Sequence, residues 1–86
     1  MPHHYVYFAR CNDGSLYAGS CIDLVEREAK HNEGRGAKYT RSRLPVQFVY
    51  TESFGTKSEA LKREAALKKL TKAAKEELVL KRAVNS

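Results

Sequence analysis

The sequence contains no long apolar run and no secretory leader pattern. No stretch approaches the roughly 20 apolar residues that a membrane-spanning helix needs. The first residues, MPHHYVYF, lack the charged start and the extended apolar segment of a signal peptide. We therefore expect a soluble, cytoplasmic protein rather than a membrane or secreted one.

Cysteine is also scarce. Cys11 and Cys21 are the two cysteines, and their spacing is not that of a C-x-x-C pair. In a reducing cytosol we expect both to be free thiols rather than a disulfide. The adjacent His3 and His4 lie at the N-terminus, where solvated side chains are more common than a metal site.

The length and apolar content fit one domain with a modest core. The chain has 86 residues, of which 42% are hydrophobic. We assign residues 1–86 to a single domain, with a core over about 5–80 and a polar C-terminal tail.

The chain has an excess of positive charge. Sixteen Lys and Arg residues against 10 Asp and Glu give a net charge of +6. Such a field attracts polyanions, first nucleic acid and second an anionic membrane. The segment 34–45, GRGAKYTRSRLP, contains no acidic residue. It is either a solubilising loop or, as we favour, a contact with backbone phosphates made by Arg35, Lys38, Tyr39, Arg41 and Arg43.

The first elements predict a β-hairpin. Residues 5–11 and 15–21 read as two strands, and the NDG between them suits a three-residue loop with Gly14 in the left-handed conformation. In the register set by this loop, Tyr17 lies opposite Ala9 and Gly19 lies opposite Tyr7. Because side chains alternate along a strand, Tyr5, Tyr7, Tyr17 and Gly19 then share one face.

Capping patterns predict the helices. Asp23 with Glu26 begins a helix that Gly34 can end, and Thr56 with Glu59 begins another that runs to about Leu70. In the first helix, we expect Leu24, Val25 and Ala29 to pack inward and Arg27 and His31 to share one side. A third strand over 46–50, continuing towards Ser53, lies between these helices, and Thr71 caps a last helix ending near Leu80. The prediction is an α+β fold, in the order β-β-α-β-α-α, with a three-stranded antiparallel sheet flanked by helices.

One acidic residue lies on a stripe that is otherwise apolar. On a helical period, Glu64 falls within the arc of Ala60, Leu61 and Leu67. A carboxylate there is unfavourable unless it is paired or binds a metal. The sequence leaves two interpretations open: an i to i+4 ion pair with Lys68, or a metal ligand.

Several of these segments resemble one family. Tyr5-Val6-Tyr7 and Tyr17-Ala18-Gly19 resemble the paired tripeptides of the GIY-YIG nuclease superfamily. The segment DLVEREAKHN, at 23–32, is similar to that family's first helix. GAKYTRSRLPVQFVYTESF and SEALKREAALKKL resemble the rest of its small, stand-alone bacterial branch. The resemblance spans about residues 5–78.

The resemblance implies a role for each candidate site residue. Of Tyr7 and Tyr17, one phenol helps to activate the attacking water and the other positions it. Arg27 matches the arginine that stabilises negative charge on phosphorus, and His31 matches a position that assists proton transfer or orientation. Glu64 matches the carboxylate that holds one divalent cation, Mg²⁺ or Mn²⁺. These groups suit phosphodiester hydrolysis.

The chain departs from the family pattern at four positions. Tyr5 replaces glycine, Ala18 replaces isoleucine, Ser20 stands where relatives often have lysine, and Glu28 stands where an apolar residue is usual. The function we expect is a metal-dependent endonuclease that acts on nucleic acid, with DNA favoured over RNA. A nucleic-acid-binding module without turnover and a protein-interaction domain with a basic surface are the alternatives.

Overall fold

A computed structural model describes residues 3–85. The elements in chain order are β1 (His4–Arg10), β2 (Leu16–Cys21), α1 (Leu24–Asn32), α2 (Lys38–Arg41), β3 (Gln47–Phe54), α3 (Lys57–Lys68) and α4 (Lys72–Asn85). The strands form one antiparallel sheet in the order β2-β1-β3. The predicted α+β fold is confirmed, with the short helix α2 as an addition inside the segment that the sequence suggested was a loop.

The central strand β1 is buried on both faces. Val6 and Phe8 face α3 and α4, in a core that includes Ala60 and Leu67. Tyr7 and Ala9 point to the opposite face, where Cys11, Val46 and the half-buried Leu24, Leu44 and Phe48 surround them. The alternation of side chains along β1 thus divides the interior into two clusters, and the predicted tyrosine face belongs to the second.

The hairpin has the predicted turn and register. The backbone N–H of Cys11 donates to the Ser15 carbonyl (2.8 Å), and that of Gly14 donates to the Cys11 carbonyl (2.9 Å). Gly14 has φ 86°, the left-handed conformation that a residue without Cβ adopts readily. Ala9 pairs with Tyr17 and Tyr7 pairs with Gly19.

The two cysteines lie at opposite ends of the hairpin. Both cysteines are free thiols. Cys21 pairs with Tyr5 at the far end of the hairpin from Cys11, about 20 Å away at the usual rise of a strand. Among residues 3–85, no helix combines the length and the apolar character needed to cross a bilayer.

All three predicted caps form. Asp23, Thr56 and Thr71 accept from the backbone N–H groups of Glu26, Glu59 and Ala74. The last helix, however, does not end near Leu80: α4 continues to Asn85 because residues 81–84 include no helix breaker. The predicted polar tail is therefore helical as far as Asn85, and residues 1, 2 and 86 of the predicted domain lie outside the described part of the chain.

The inward face of α1 is more polar than the sequence suggested. Val25 is 82% exposed and Ala29 is exposed, so the prediction that they pack inward is wrong. Leu24, Arg27 and Glu28 are half-buried and His31 is buried. These polar groups can face the sheet because they find partners there; the Glu28 carboxylate, for example, accepts from the backbone N–H of Phe48 (2.7 Å). Similarly, Leu61 on α3 is 47% exposed rather than part of an apolar arc.

The last residue of α1 fixes this helix to the entry of β3. The side-chain amide of Asn32 donates to the Val46 carbonyl (3.0 Å), and its Oδ1 accepts from the Val46 N–H (2.7 Å). Together with the Glu28 contact, this pair of hydrogen bonds determines how far α1 stands from the sheet.

Removing the Asn32 amide should loosen this attachment. Asn32→Ala leaves the two Val46 backbone groups without their partner, and we expect a loss of about 1–3 kcal/mol in the free energy of unfolding. Asn12→Ala is the matched control, since Asn12 is exposed in the hairpin loop, and we expect a change within about 0.5 kcal/mol. Urea denaturation of both variants measures the difference; equal stabilities would contradict a clamping role for Asn32.

Candidate active site

A chain of hydrogen bonds joins β1, α1 and α2 beneath the surface. The Thr40 hydroxyl donates its single proton to the Ala37 carbonyl (2.9 Å), so it accepts from His31 Nδ1 (2.9 Å). His31 Nε2 is then unprotonated and accepts from the Tyr7 hydroxyl (2.8 Å). Tyr7 and His31 are each 1% exposed and Thr40 is fully buried. The tautomer of His31 thus follows from its partners: Nδ1 carries the proton, and the lone pair of Nε2 accepts from the Tyr7 hydroxyl.

Burial and charge keep both members of this pair neutral. Burial raises the pKa of Tyr7 well above its usual range, and the neighbouring Tyr17 adds to that effect. Burial also lowers the pKa of His31, and the positive charge of Arg27 lowers it further. At neutral pH the pair is therefore a neutral phenol donating to a neutral imidazole.

Two glycines allow these side chains to lie against the backbone. A Cβ at Gly19 would lie 2.4 Å from the Tyr7 hydroxyl oxygen, and one at Gly36 would lie 2.2 Å from His31 Nδ1. Both distances are too short for any side chain, so glycine is required at both positions. The second tripeptide of the sequence thus ends in glycine because the phenol of the first rests on it.

Tyr17 lies at the edge of the same cluster, within a stack of rings. Its ring centroid is 5.7 Å from that of His31 and 5.9 Å from that of Tyr39, to which it is nearly parallel. The Arg43 guanidinium lies over the Tyr39 ring, 3.9 Å from its centroid. Tyr17 is half-buried and Tyr39 is 40% exposed. The stack therefore extends from the buried histidine to the surface.

Arg27 lies beside the phenols and lines a groove on the surface. This groove, with a volume of about 300 Å³, is lined by Arg27, Ser20, Cys21 and Lys57 among others. Arg27 is close enough to Tyr7 for its charge to favour the phenolate form, although burial outweighs this. A cation here is suitably placed for an anionic group bound in the groove.

Glu64 approaches the site from the opposite face of the sheet. Its Oε1 accepts from the Ser20 hydroxyl (2.7 Å), its Oε2 pairs with Lys68 Nζ (2.9 Å), and its side chain is 17% exposed. The predicted ion pair with Lys68 is therefore present. Within the described residues no cluster of three or more His, Cys, Asp or Glu side chains could hold a metal. A single carboxylate still fits Mg²⁺, which commonly keeps several waters and binds through one or two carboxylates and substrate phosphates.

The predicted phosphate contacts in residues 34–45, the basic segment, differ in their exposure and in their partners. Arg35 pairs with Glu33. Arg43 donates to Asp13 (2.9 Å) and to the Tyr39 carbonyl (2.8 Å), so it ties this segment to the hairpin loop. Lys38 and Arg41 are exposed on α2 and form no ion pair with any residue of the described range. These two, with Tyr39, are the members best placed to meet a polyanion.

The chain matches one known protein family over most of its length. The sequence profile of the GIY-YIG catalytic domain matches residues 3–77. The chain belongs to the GIY-YIG family, as the resemblance predicted.

The relatives are small proteins of similar length. A UPF0213 protein of Staphylococcus saprophyticus is 53% identical over 79 residues, which are 92% of this chain and 96% of that one. A UPF0213 protein of Bacillus halodurans, solved by NMR, is 47% identical with a TM-score of 0.58, covering 90% of this chain and 82% of the other. An NMR structure of an E. faecalis protein is 44% identical with a TM-score of 0.64, at 98% and 90% coverage.

Sequence reasoning missed three residues of this arrangement. Thr40, Gly36 and Ser20 each contact a candidate residue, but none was predicted to belong to the site. Thr40 and Gly36 lie in the segment that looked like a basic loop, and no local pattern indicates that this segment folds back onto α1. Ser20 had a weak signal, because it follows Gly19 at the end of the second tripeptide.

The close approach of the Tyr7 ring to Gly19 can be tested by adding a side chain at this position. Gly19→Ala should push the buried Tyr7 ring out of place and lower the free energy of unfolding by about 1–3 kcal/mol. Gly55→Ala is the control, because a Cβ there meets no atom within 4 Å and Gly55 does not need a positive φ. Thermal melts of the two variants check this; a fully stable Gly19→Ala protein would contradict the packing described above.

The lowered pKa of His31 makes stability depend on pH. Unfolded His31 binds a proton as the pH falls through about 6.5, whereas in the fold it stays neutral to lower pH. The unfolded state therefore binds more protons in this window, and stability should fall as the pH decreases from about 7 through the folded-state pKa.

His31→Gln provides the comparison for this effect. Glutamine can donate and accept but does not titrate, so the variant should lose less stability than the parent between pH 7.5 and pH 5. Denaturant titrations at several pH values measure both slopes. Parallel slopes would mean that His31 is not held neutral by the fold.

Proposed function

We propose that this protein is a metal-dependent endonuclease that hydrolyses phosphodiester bonds, in DNA more readily than in RNA. The observation that carries the proposal is the buried hydrogen-bond chain from Tyr7 through His31 to Thr40. Any buried tyrosine hydroxyl needs an acceptor, but here the acceptor is a neutral histidine oriented by a third residue, which is the arrangement of a general base and its orienting partner. We place this activity in the cytoplasm.

The hydrogen-bond chain from Tyr7 through His31 to Thr40 suggests a path for the proton of the attacking water. As the water oxygen forms its bond to phosphorus, its proton passes to the Tyr7 oxygen, and the Tyr7 proton passes to His31 Nε2. Thr40 continues to accept from Nδ1–H and so orients the imidazolium that results. The bond from phosphorus to the 3′ oxygen breaks, which leaves a 5′ phosphate and, after protonation by water, a 3′ hydroxyl. Because Tyr7 is neutral, the two proton transfers must be coupled.

The remaining residues hold the phosphate and its charge. Tyr17 lies beside His31 and reaches the surface, which suits it to position the water or the phosphate. Arg27, in the groove, would stabilise the negative charge that develops on phosphorus. Glu64 would hold the divalent cation, Mg²⁺ or Mn²⁺, which when bound supplies a Lewis acid for the leaving oxygen.

A second candidate function is favoured by one observation. Both carboxylate oxygens of Glu64 have protein partners, Ser20 and Lys68. In a nucleic-acid-binding module without turnover, this acidic residue would be purely structural. The two functions differ in whether hydrolysis occurs and in whether it depends on Glu64.

A cleavage assay separates these functions. We expect the parent to cut one or more of single-stranded, duplex and branched DNA only when Mg²⁺ or Mn²⁺ is added. Tyr7→Phe removes the proton that passes to His31 and should reduce the rate on the order of 10²-fold or more. Tyr5→Phe is a matched control on the same strand and face, and it should keep full activity.

The same assay tests the metal ligand. Glu64→Gln should abolish cleavage at every metal concentration while DNA binding is retained. A parent that binds DNA but does not cut it with either metal would support the binding module instead. Full activity in Tyr7→Phe would exclude the proton path proposed here.

The basic segment should give DNA binding its salt dependence. Lys38 and Arg41 are exposed and close to the stacked Tyr39. Replacing both by alanine should flatten the slope of log K against log salt by about one unit for each lost phosphate contact. Lys62→Ala with Lys75→Ala removes the same charge from α3 and α4 and should leave the slope nearly unchanged. If both pairs of substitutions changed the slope equally, the basic segment would be a solubilising one rather than a phosphate contact. Arg43 is unsuitable for this test because it also holds the segment to the hairpin loop.

A further inference from the structure

The Glu64 carboxylate is shared between an uncharged donor and a cation. Ser20 Oγ donates to Oε1 (2.7 Å), and Lys68 Nζ lies 2.9 Å from Oε2. The Glu64 side chain is 17% exposed, whereas the Lys68 side chain is 50% exposed. The carboxylate is thus mostly enclosed, but the cation that neutralises it can reach solvent without any change in the backbone.

Lys68 and a divalent cation compete for the Glu64 carboxylate. A magnesium–oxygen bond is about 2.0–2.1 Å long, so the metal would come within a few ångströms of an ammonium that is hydrogen-bonded to the same oxygen. Like charges at such a distance repel strongly where water is partly excluded. Ser20 carries no charge, so it can keep its contact with Oε1. The charge of Lys68 therefore opposes metal binding, whereas the uncharged Ser20 does not.

The surroundings of Lys68 indicate where its charge can go. Its Nζ lies 5.8 Å from the centroid of the Tyr17 ring, and Glu64 is its only ion-pair partner among residues 3–85. A phosphate positioned by Tyr17 would be within reach of the flexible four-carbon stem of this lysine. Such a phosphate would be the nearest anion available to the displaced ammonium.

We propose that Lys68 is an internal counter-ion that exchanges partners, leaving Glu64 for the substrate phosphate so that the metal can take its place. This inference rests on the proposed function, because it assumes that Glu64 binds the metal and that a phosphate occupies the site. By thermodynamic linkage, nucleic acid then raises the affinity for the metal and the metal raises the affinity for nucleic acid by the same factor. The protein without substrate would bind metal weakly.

An ordinary surface ion pair makes different predictions. Pairs at i and i+4 on an exposed helix face are weak, and losing one changes stability slightly without any effect on metal affinity. If Lys68 is the counter-ion, its removal must leave Glu64 more available to a divalent cation. The sign of the change in metal affinity therefore separates the two roles.

The first experiment measures Mn²⁺ affinity without nucleic acid, by calorimetric titration. Lys68→Gln should bind Mn²⁺ on the order of 10-fold more tightly than the parent, and Lys68→Arg, which keeps the charge, should resemble the parent. Lys69→Gln is the matched control: it removes the same charge one residue away, from an exposed position, and should also resemble the parent. Glu64→Gln gives the background of adventitious binding.

The second experiment repeats the titration with a phosphorothioate DNA oligonucleotide, a charged and slowly cleaved substrate analogue. The parent and Lys69→Gln should gain Mn²⁺ affinity when this DNA is present, and Lys68→Gln should gain much less. Glu64→Gln with the same DNA corrects for Mn²⁺ bound by the oligonucleotide itself.

The results distinguish this inference from the proposed function. Equal Mn²⁺ affinity in the parent and Lys68→Gln, including no binding by either, would overturn the counter-ion role. So would an equal gain from DNA in both proteins. Absence of cleavage by the parent at saturating Mn²⁺ would instead remove the nuclease function, and the affinity difference between the two proteins would still stand.

Discussion

The hydrogen bond from the Tyr7 hydroxyl to His31 Nε2 is the contact around which the rest of this site is arranged. It joins the central strand to α1, and through Thr40 it reaches α2. Phe48 of β3 stacks on Tyr7 with ring centroids 4.0 Å apart, and glycines occupy the positions where any side chain would displace the two rings. Without this bond, both polar groups would be buried with one partner missing, which is unfavourable for each of them. The neutrality of the pair follows mainly from its burial.

The position of β2 at the edge of the sheet brings together groups from both of its faces. The Tyr7–His31 pair lies on the face covered by α1, whereas Glu64 comes from α3 on the other. Ser20 and Tyr17, both on β2, link these two sets through contacts with Glu64 and His31. A central strand would separate the faces, but an edge strand lets side chains meet around it. Under the proposed function, these groups from the two faces would act on one phosphate.

Features that depend on residues close together in the sequence could be predicted. Features that depend on contacts between distant segments could not. The NDG turn determines the register that places Gly19 opposite Tyr7, and a capping residue with its partner three positions on determines where α1 and α3 begin. The inward face of α1 depends instead on polar partners in β3, so Val25 was wrongly placed inside. The roles of Thr40 and Arg43 depend on how residues 34–45 return to the hairpin. Glu64 was recognised as unusual, but its contact with Ser20 joins residues 44 positions apart.

The hydrogen-bond chain from Tyr7 through His31 to Thr40 joins parts of the molecule that differ in local stability. Tyr7 belongs to the strand that pairs on both sides, whose amides should exchange with solvent only when the whole protein unfolds. Thr40 belongs to a helix of four residues, which is too short to be stable on its own and should open far more often. Each opening would release His31 Nδ1 from its acceptor while Tyr7 stays in place. The orientation of the imidazole is therefore maintained by the less protected end of the hydrogen-bond chain, and the lifetime of this arrangement is set by the opening of α2 rather than by the stability of the sheet.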